Sequence, residues 1–349
     1  MPSLEDEKQR NMDSPRIDSP KAGRNIVWSW LVPTLLAAVL LYYALRGIAW
    51  GRVWDAIVTA RWSYLAAAAL ISCGSFFLRS YRWRVLLNAE AALDVPTVFW
   101  ATMAGYLGNS FLPARAGELV RSFIISSRSS LSKTYVLTTA LSQLMVDAIT
   151  LVLASSVVLL GINPKPNWLG DASRVTAVTA GIGLLAIVIV PHTGNLCEAI
   201  IRRLPLPAGF RDRLLGFTGQ ILLGLRAFHS AGRLTKFAFW TVAIWTLDCF
   251  TVMVGARALG LELPFRVALL LLAGLGLGSA LPSTPGYVGI FQFVTVSVLT
   301  QFGVSRDAAL AYSLLSQALG YVVVLALGVP GLYKFKGWRR AVEREEPAP

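Results

Sequence analysis

The residues best suited to binding chemistry lie in one short stretch, NSFLPARAGELVR, which runs from Asn109 to Arg121. Spacings of three place Arg115, Glu118 and Arg121 on neighbouring positions of one helical face. Arginine offers a planar fork of donors that suits phosphate, and Glu118 is expected to hold the two guanidinium groups in position. We predict an anion-binding site here. The alternative is that these side chains only snorkel at the inner membrane interface.

Two carboxylates lie near the middle of apolar stretches, at Asp147 and Asp248. Each is too deep to reach water by snorkelling, so each needs a proton or a partner. For Asp147 we prefer pairing with Arg115 or Arg121. For Asp248, a structural pairing with Arg79 and a role in transport are both open.

A second basic cluster, Arg79, Arg82 and Arg84 around Trp83, follows a predicted span. Anchoring at the inner face and an aromatic belt explain most of it, and a lipid-phosphate contact by Arg82 is an open alternative. The two histidines and three cysteines show no metal-ligand spacing. We therefore expect no metal and no cofactor, and assign no catalytic residue.

Hydropathy predicts the elements that must position these residues. The 349 residues are 55% hydrophobic with a mean hydropathy of +0.59, well above the soluble range. A bilayer core needs about 20 apolar residues per spanning helix. We predict an all-α polytopic membrane protein with a disordered cytoplasmic tail at 1–25, a transmembrane domain at 26–333 and a cytoplasmic tail at 334–349. Its six full spans are expected at 26–45, 62–79, 134–161, 175–191, 236–257 and 308–332.

The positive charges sort by loop. With the N-terminus inside, the predicted inner segments hold 20 Lys or Arg and the outer loops 8. This bias predicts a plasma (inner) membrane protein with both termini cytoplasmic, and it accounts for the net charge of +13 without a nucleic-acid groove. The basic loop 192–236 is expected to form an amphipathic helix on the inner face, or else a solvated loop.

Two further apolar stretches match one another at an offset of 169 residues. The matched positions in the first stretch are Ala104, Gly105, Ser110, Leu112, Pro113 and Gly117. They fall on Ala273, Gly274, Ser279, Leu281, Pro282 and Gly286. The chain therefore contains an internal repeat, with halves at about 26–161 and 175–333.

Each repeat carries a break at a proline and a glycine. Proline removes a backbone donor and glycine permits turns, so the helices should break there. Broken backbone at membrane depth is tolerated only inside protein or beside a cavity. We predict two re-entrant helical hairpins in an inverted repeat, a pattern typical of transporters with a midplane site. Simple kinks in ordinary helices are the alternative. The predicted tips are Pro113 and Gly117 in the first hairpin and Pro282, Pro285 and Gly286 in the second.

From about residue 27 to 333 the chain resembles the transmembrane region of lysylphosphatidylglycerol synthases, the flippase-like membrane family. The resemblance lies in Arg82-Trp83, in the NSFLPARAGELVR stretch, in Asp147 and in the LPSTPGYVG stretch that begins at Leu281. It implies movement of a phospholipid or polyprenyl-linked lipid between leaflets, or a partner role beside an enzyme that makes such a lipid.

The sequence departs from the family pattern at two positions. Gln292 and Gln143 stand where glutamates are expected. If those carboxylates carry protons or hold a cationic headgroup in relatives, the coupling or the substrate differs here. The chain also ends at Pro349 with no soluble aminoacyl-transferase domain after the last span, so lysyl transfer by this polypeptide is not expected.

The predicted partners are membrane lipids with an anionic, phosphate-containing headgroup. A lipid-synthesis enzyme and a second copy of the chain are further candidates. A membrane-embedded enzyme is the main rival function, although the sequence has no HExxH and no carboxylate cluster suited to Mg²⁺. An accessory subunit of a lipid-modifying or glycosyl-transferring complex also stays open, while an ion channel lacks a visible filter.

Overall fold

A computed structural model describes residues 22–112, 116–160, 194–204, 230–279 and 284–335, with a few single positions between 178 and 222. This part of the chain is helical and contains no strand. The helices are α1 Ala22–Leu45, α2 Trp50–Val58, α3 Trp62–Leu87, α4 Val95–Phe111, α5 Gly117–Ser126, α6 Lys133–Leu160, α7 Gly194–Arg203, α8 Ala231–Arg257, α9 Phe265–Gly278, α10 Ile290–Thr300 and α11 Arg306–Lys334.

Four of these helices, α3, α6, α8 and α11, are long and apolar enough to cross a membrane. A fifth span arises if α1 from Pro33 onward and α2 are counted as one bent element. The chain is therefore a multi-pass membrane protein. The predicted span at 175–191 lies outside the described residues, as do the tails at 1–21 and 336–349.

The segment 46–61 between the first two predicted spans contains α2, a helix that the sequence analysis did not predict. This helix lies at 88° to the end of α1. Trp50 and Trp54 are exposed while Val53 is buried. Tryptophan is enriched at membrane interfaces, so a short helix of this kind is suited to lying along one. The apolar face it buries was too short to stand out in a scan for spans.

The predicted end of the second span at residue 79 was also wrong. No proline or glycine lies between Arg79 and Leu87, and α3 continues to Leu87. Arg82 and Trp83 are consequently buried inside the helix bundle instead of anchoring the chain at the interface. The predicted basic loop 192–236 ends earlier than expected, because α8 begins at Ala231 and not at 236. The predicted amphipathic helix of that loop falls mostly on residues outside the described ones.

The internal repeat is visible in the order of the helices. A shift of 169 residues carries the start of α3 onto the start of α8, and α4 onto α9 to within two residues at either end. The same shift brings α5 near α10 and α6 near α11. The two central helices of this arrangement, α3 and α8, pack directly against each other. The predicted inversion of the repeat in the membrane stays a prediction.

Both breaks separate helices that pack as hairpins. In the first, glycines let α4 and α5 approach closely, since a Cβ at Gly117 would lie 1.9 Å from the carbonyl oxygen of Gly105. In the second, a Cβ on Gly278 would lie 2.7 Å from Ile290 on α10. Small residues at such contacts are typical of helix packing in membranes. The depth of these hairpins in a bilayer stays a prediction.

The outer surfaces of the long helices carry large apolar side chains. Leu70 on α3, Phe239 and Val242 on α8 and Val322 on α11 are each more than 60% exposed. Such a surface is unfavourable in water and suits lipid. Arg82 and Asp147 on the long helices are instead buried, and Arg79 and Asp248 are partly buried.

Candidate functional site

A polar cavity of about 330 Å³ lies between the two hairpins. We call it the polar cavity. It is bordered by α3, α4, α5 and α6 of the first repeat and by α11 and the second break of the other. Its charged lining residues are Arg79, Arg82, Glu118, Arg121 and Asp147. Ionisable groups inside a membrane bundle are expensive, so their convergence here marks a candidate functional site.

Arg82 of α3 and Asp147 of α6 form an ion pair in the lining of the cavity. The two terminal nitrogens of Arg82 lie 2.6 and 2.7 Å from the two carboxylate oxygens of Asp147, a bidentate pairing. Arg82 also donates to Thr241 on α8 at 3.0 Å and lies 4.8 Å from the Phe237 ring centre. The arginine is only 2% exposed. The ion pair joins α3 to α6, and the hydrogen bond from Arg82 to Thr241 joins α3 to α8.

The predicted pairing of Asp147 with Arg121 was wrong. Arg121 instead pairs with Glu118 at 2.5 Å, one turn back on the same helix, and its guanidinium lies 4.3 Å above the ring of Trp83. Asp147 pairs with Arg82 instead, because α3 continues past the predicted end of its span and carries Arg82 into the bundle. Arg115, the other predicted partner, lies outside the described residues.

Glu118 bridges the two arms of the first hairpin. It accepts a hydrogen bond from Asn109 of α4 at 3.1 Å while it holds Arg121 of α5. Glu118 and Arg121 are each 4% exposed. Glu118 thus contacts Arg121, one of the two arginines that it was expected to hold, while its role in positioning them for an anion stays a prediction. Its reach to Asn109 was not predicted, because that contact depends on the close approach of α4 and α5.

Arg79 and Asp248 are ion-paired, as one of the two sequence interpretations predicted. Ser75 donates to the other oxygen of Asp248 at 2.5 Å, and the Arg79 guanidinium lies 5.1 Å from the Trp245 ring centre. The two paired residues are 169 positions apart, which is the repeat offset. The ion pair therefore joins equivalent positions of the two repeats, on the central helices α3 and α8.

The second break contributes uncharged groups to the cavity. Gly286 has a φ of 71°, and a Cβ there would lie 1.9 Å from the Tyr321 hydroxyl oxygen. Its carbonyl oxygen accepts hydrogen bonds from Gln317 at 2.8 Å and from Tyr321 at 3.0 Å. Gln317 in turn accepts a hydrogen bond from Gln292 at 2.5 Å. This neutral network fixes the break against α11.

Most of the predicted site residues that can be placed come together. Asn109, Glu118, Arg121, Asp147, Arg82 and Gly286 all line the polar cavity. Gly117 lies behind it at the hairpin contact, and Pro285 begins a short 3-10 turn with Gly286 and Tyr287. Arg115, Pro113 and Pro282 lie outside the described residues.

Sequence reasoning did not assign several polar lining residues to the site, among them Arg79, Gln143, Gln317 and Tyr321. Gln143 and Gln317 are amides inside long apolar spans, which is a usable signal, because polar side chains in such spans usually face the bundle interior. Arg79 was considered only as a structural partner. Tyr321 lies near the middle of α11, and its hydroxyl, a polar group within an apolar run, was a signal that the sequence analysis did not use.

A model of the family described as the Lysylphosphatidylglycerol synthase TM region matches residues 30–328. The chain belongs to this family. The Lysylphosphatidylglycerol synthase TM region thus accounts for nearly the whole transmembrane part, including both hairpins and the polar cavity. The resemblance inferred from the sequence motifs is confirmed.

The chain is similar to two curated proteins, one named as a glycosyltransferase and the other as a membrane protein. Glycosyltransferase AglD of Haloferax volcanii is 26% identical over 301 residues, covering 76% of this chain and 48% of the relative. A UPF0104 membrane protein of Methanothermobacter thermautotrophicus is 22% identical over 310 residues, covering 83% of this chain and 89% of the relative. The chain therefore spans about half the length of the first relative and most of the second.

Proposed function

We propose that the protein is a lipid translocase, which moves a phospholipid or polyprenyl-linked lipid between leaflets through the polar cavity. The observation that carries the proposal is the convergence of both helical hairpins on one charged cavity inside an apolar bundle. Paired helix breaks around a common site are typical of transporters that alternate access between two sides. The expected cargo headgroup is anionic and contains phosphate.

The charges of the cavity suit transient phosphate binding. Among the described residues, the three arginines Arg79, Arg82 and Arg121 are balanced by the carboxylates of Asp248, Asp147 and Glu118. This balance lowers the cost of holding arginines in a membrane bundle without a ligand. A phosphate that enters can share the guanidinium donors, because arginine pairs with phosphate in the same bidentate geometry as with carboxylate.

Arg121 is the arginine best placed to bind the headgroup. Its ion pair is confined to its own helix, whereas Arg82 is held by α6 and α8 as well. Its Nε atom, together with Asn109 Oδ1 and Gln143 Nε2, is buried without a hydrogen-bond partner among the described residues. Buried polar groups are normally satisfied. The three residues that carry these atoms line the polar cavity, although the atoms themselves are covered in this structure.

Leaflet exchange in sealed vesicles tests the proposal. Protein is reconstituted with a headgroup-labelled fluorescent phospholipid, and the fraction protected from a membrane-impermeant quencher is followed over time. We expect Glu118→Ala and Arg121→Gln to abolish exchange, because each removes part of the arginine and carboxylate set. Leu119→Ala is the matched control, since this residue lies on the same helix but is 57% exposed.

The folding of each variant is checked separately, by size-exclusion chromatography and thermal unfolding in detergent. Wild-type exchange rates in both Glu118→Ala and Arg121→Gln would remove the site assignment. Failure of the wild-type protein to exchange any labelled lipid would remove the translocase proposal itself. Arg115→Ala is a further variant of the same set that sequence reasoning nominates.

A second candidate function is the membrane part of a glycosyl-transferring or lipid-modifying complex. It is favoured by the similarity to a protein named as a glycosyltransferase and by two carboxylates, Glu118 and Asp147, in the cavity. A carboxylate pair can serve as base and orienting group. Incubation of the purified protein with labelled lipid and a sugar donor, followed by mass spectrometry, separates the candidates. A covalently changed lipid would favour the enzyme and sink the translocase.

A third outcome is an accessory role beside a lipid-synthesis enzyme. Purification of a stoichiometric enzyme with the chain, together with no leaflet exchange by the isolated protein, would favour it. We further propose that the protein resides in the plasma membrane with both termini cytoplasmic, on the strength of the charge bias between its loops.

A further inference from the structure

A second cavity, which we call the apolar cavity, lies beside the polar one. It holds about 170 Å³ between α3, α8, α9 and α11. Its walls are mainly aliphatic side chains, namely Leu65, Leu271, Leu275, Leu315, Leu319 and Val323. The charged side chain at its edge is Asp248, whose carboxylate is neutralised by Arg79. The cavity therefore suits an uncharged, apolar occupant.

The two cavities adjoin at three shared lining residues, Phe291, Ser316 and Gly320. Gly320 leaves room at this junction, since a Cβ built on it would meet nothing within 4 Å. The equivalent position of the first repeat is Leu151, whose side chain packs against Gly276. The junction is thus open where the second repeat has glycine in place of leucine.

We propose that the apolar cavity binds the first few carbons of one hydrocarbon chain of the lipid whose phosphate group occupies the polar cavity. This inference rests on the proposed function. The aliphatic chain follows the phosphate directly in a polyprenyl phosphate and through a glycerol ester in a phospholipid. The adjoining polar and apolar cavities have the same order. A free phosphate or a soluble phosphorylated molecule would have no use for the second cavity. The second chain of a two-chain lipid stays in the bilayer.

The test compares two phosphate monoesters that differ only in chain length, hexyl phosphate and ethyl phosphate. Binding to the purified protein in lipid nanodiscs is measured by calorimetry, with empty nanodiscs as the blank. Each buried methylene is worth about a fourfold gain in affinity. Hexyl phosphate has four more methylenes than ethyl phosphate, so we expect the wild-type protein to bind it about 250 times more tightly if all four are buried.

Two substitutions should remove this chain-length preference. Gly320→Leu fills the junction without displacing backbone, and leucine has a higher helix propensity than glycine. Ser72→Leu adds bulk inside the apolar cavity alone, because Ser72 does not line the polar cavity. Gly320→Ala and Ser72→Ala are the matched controls. We expect both leucine variants to bind the two esters with nearly equal affinity. We also expect Ser72→Leu to bind ethyl phosphate as the wild-type protein does.

The outcomes separate the two proposals. If the wild-type protein binds both esters equally, or if both leucine variants keep the wild-type ratio, the chain site is rejected while the phosphate site stands. If the wild-type protein binds neither ester, the headgroup site fails and the chain site fails with it. Loss of ethyl phosphate binding in Arg121→Gln, with the chain-length preference intact in Leu119→Ala, supports the combined assignment.

Discussion

Removing the buried pair Arg82 and Asp147 one residue at a time should give unequal losses. Asp147→Leu leaves Arg82, at 2% exposure, with only Thr241 as a polar partner among the contacts described above. Breaking a buried pair in this way costs about 3–5 kcal/mol. Arg82→Met leaves Asp147 with Arg79 at 3.9 Å, so a partial partner remains. We expect its cost to be smaller, about 1–3 kcal/mol.

The double variant Arg82→Met with Asp147→Leu should recover most of the stability. Replacing a whole buried ion pair by apolar side chains of similar volume is often neutral or stabilising. We expect unfolding free energies within about 1 kcal/mol of wild type, which corresponds to a coupling energy of several kcal/mol in the double-mutant cycle. Lipid exchange should nevertheless be lost, because the polar cavity has lost a guanidinium and a carboxylate.

The assay combines equilibrium unfolding in mixed detergent micelles with leaflet exchange in vesicles, on the same protein preparations. Additive losses in the double variant would show that the two side chains are not coupled and would refute the structural part of the reasoning. Wild-type exchange in a stable double variant would show that the pair only supports the fold, and would refute its part in the site.

Three further predictions address the supports of the site. Gly117→Ala should cost at least about 1–3 kcal/mol in thermal unfolding, because its Cβ would strike facing backbone, whereas Gly232→Ala, a first-turn glycine with open space, should be neutral. Swapping Arg79→Asp with Asp248→Arg should restore folding that each single change loses, as judged by size-exclusion chromatography, if the pair acts only through its mutual charge. Asp94→Ala should lower the melting temperature modestly, with Asp94→Asn as the conservative control, since a lost N-cap costs about 0.5–2 kcal/mol. Hydrogen bonds from Thr97 lower the pKa of Asp94 below its ordinary value of 3.8. The stabilisation by the charged N-cap is therefore fully present above that pH and is lost as the pH drops through the lowered pKa. Asp94→Asn should not show this pH dependence.

Hydropathy and the internal match were sufficient to predict most of the helices. The long helices α6, α8 and α11 lie where apolar runs of about 20 residues demanded them, because such runs have few stable alternatives in a bilayer. The breaks were predictable from Leu-Pro and glycine. The boundary of α3 was not, since Arg79, Arg82 and Arg84 resemble the end of a span by composition and only tertiary pairing keeps them inside the bundle.

The sequence predicted which residues belong to the candidate site better than it predicted which of them contact one another. Asn109, Glu118 and Asp147 were nominated by charge or motif, and they line one cavity. Their partners depend on which helices pack together, which no single-sequence pattern specified. Gln292 illustrates the point: it was noted as a departure from the family pattern, yet its contacts show an amide that joins the second hairpin to Gln317.

Access to the polar cavity from both sides of the membrane tests the central claim most directly. Ser110 lines the cavity at the end of α4, so Ser110→Cys is placed in a background without the three natural cysteines. Labelling with a membrane-impermeant maleimide is measured in right-side-out and inside-out vesicles, with the lipid-facing Phe239→Cys as control. Alternating access predicts that Ser110→Cys is labelled in both preparations and Phe239→Cys in neither. Labelling of Ser110→Cys from one side only, or from neither, would contradict the account.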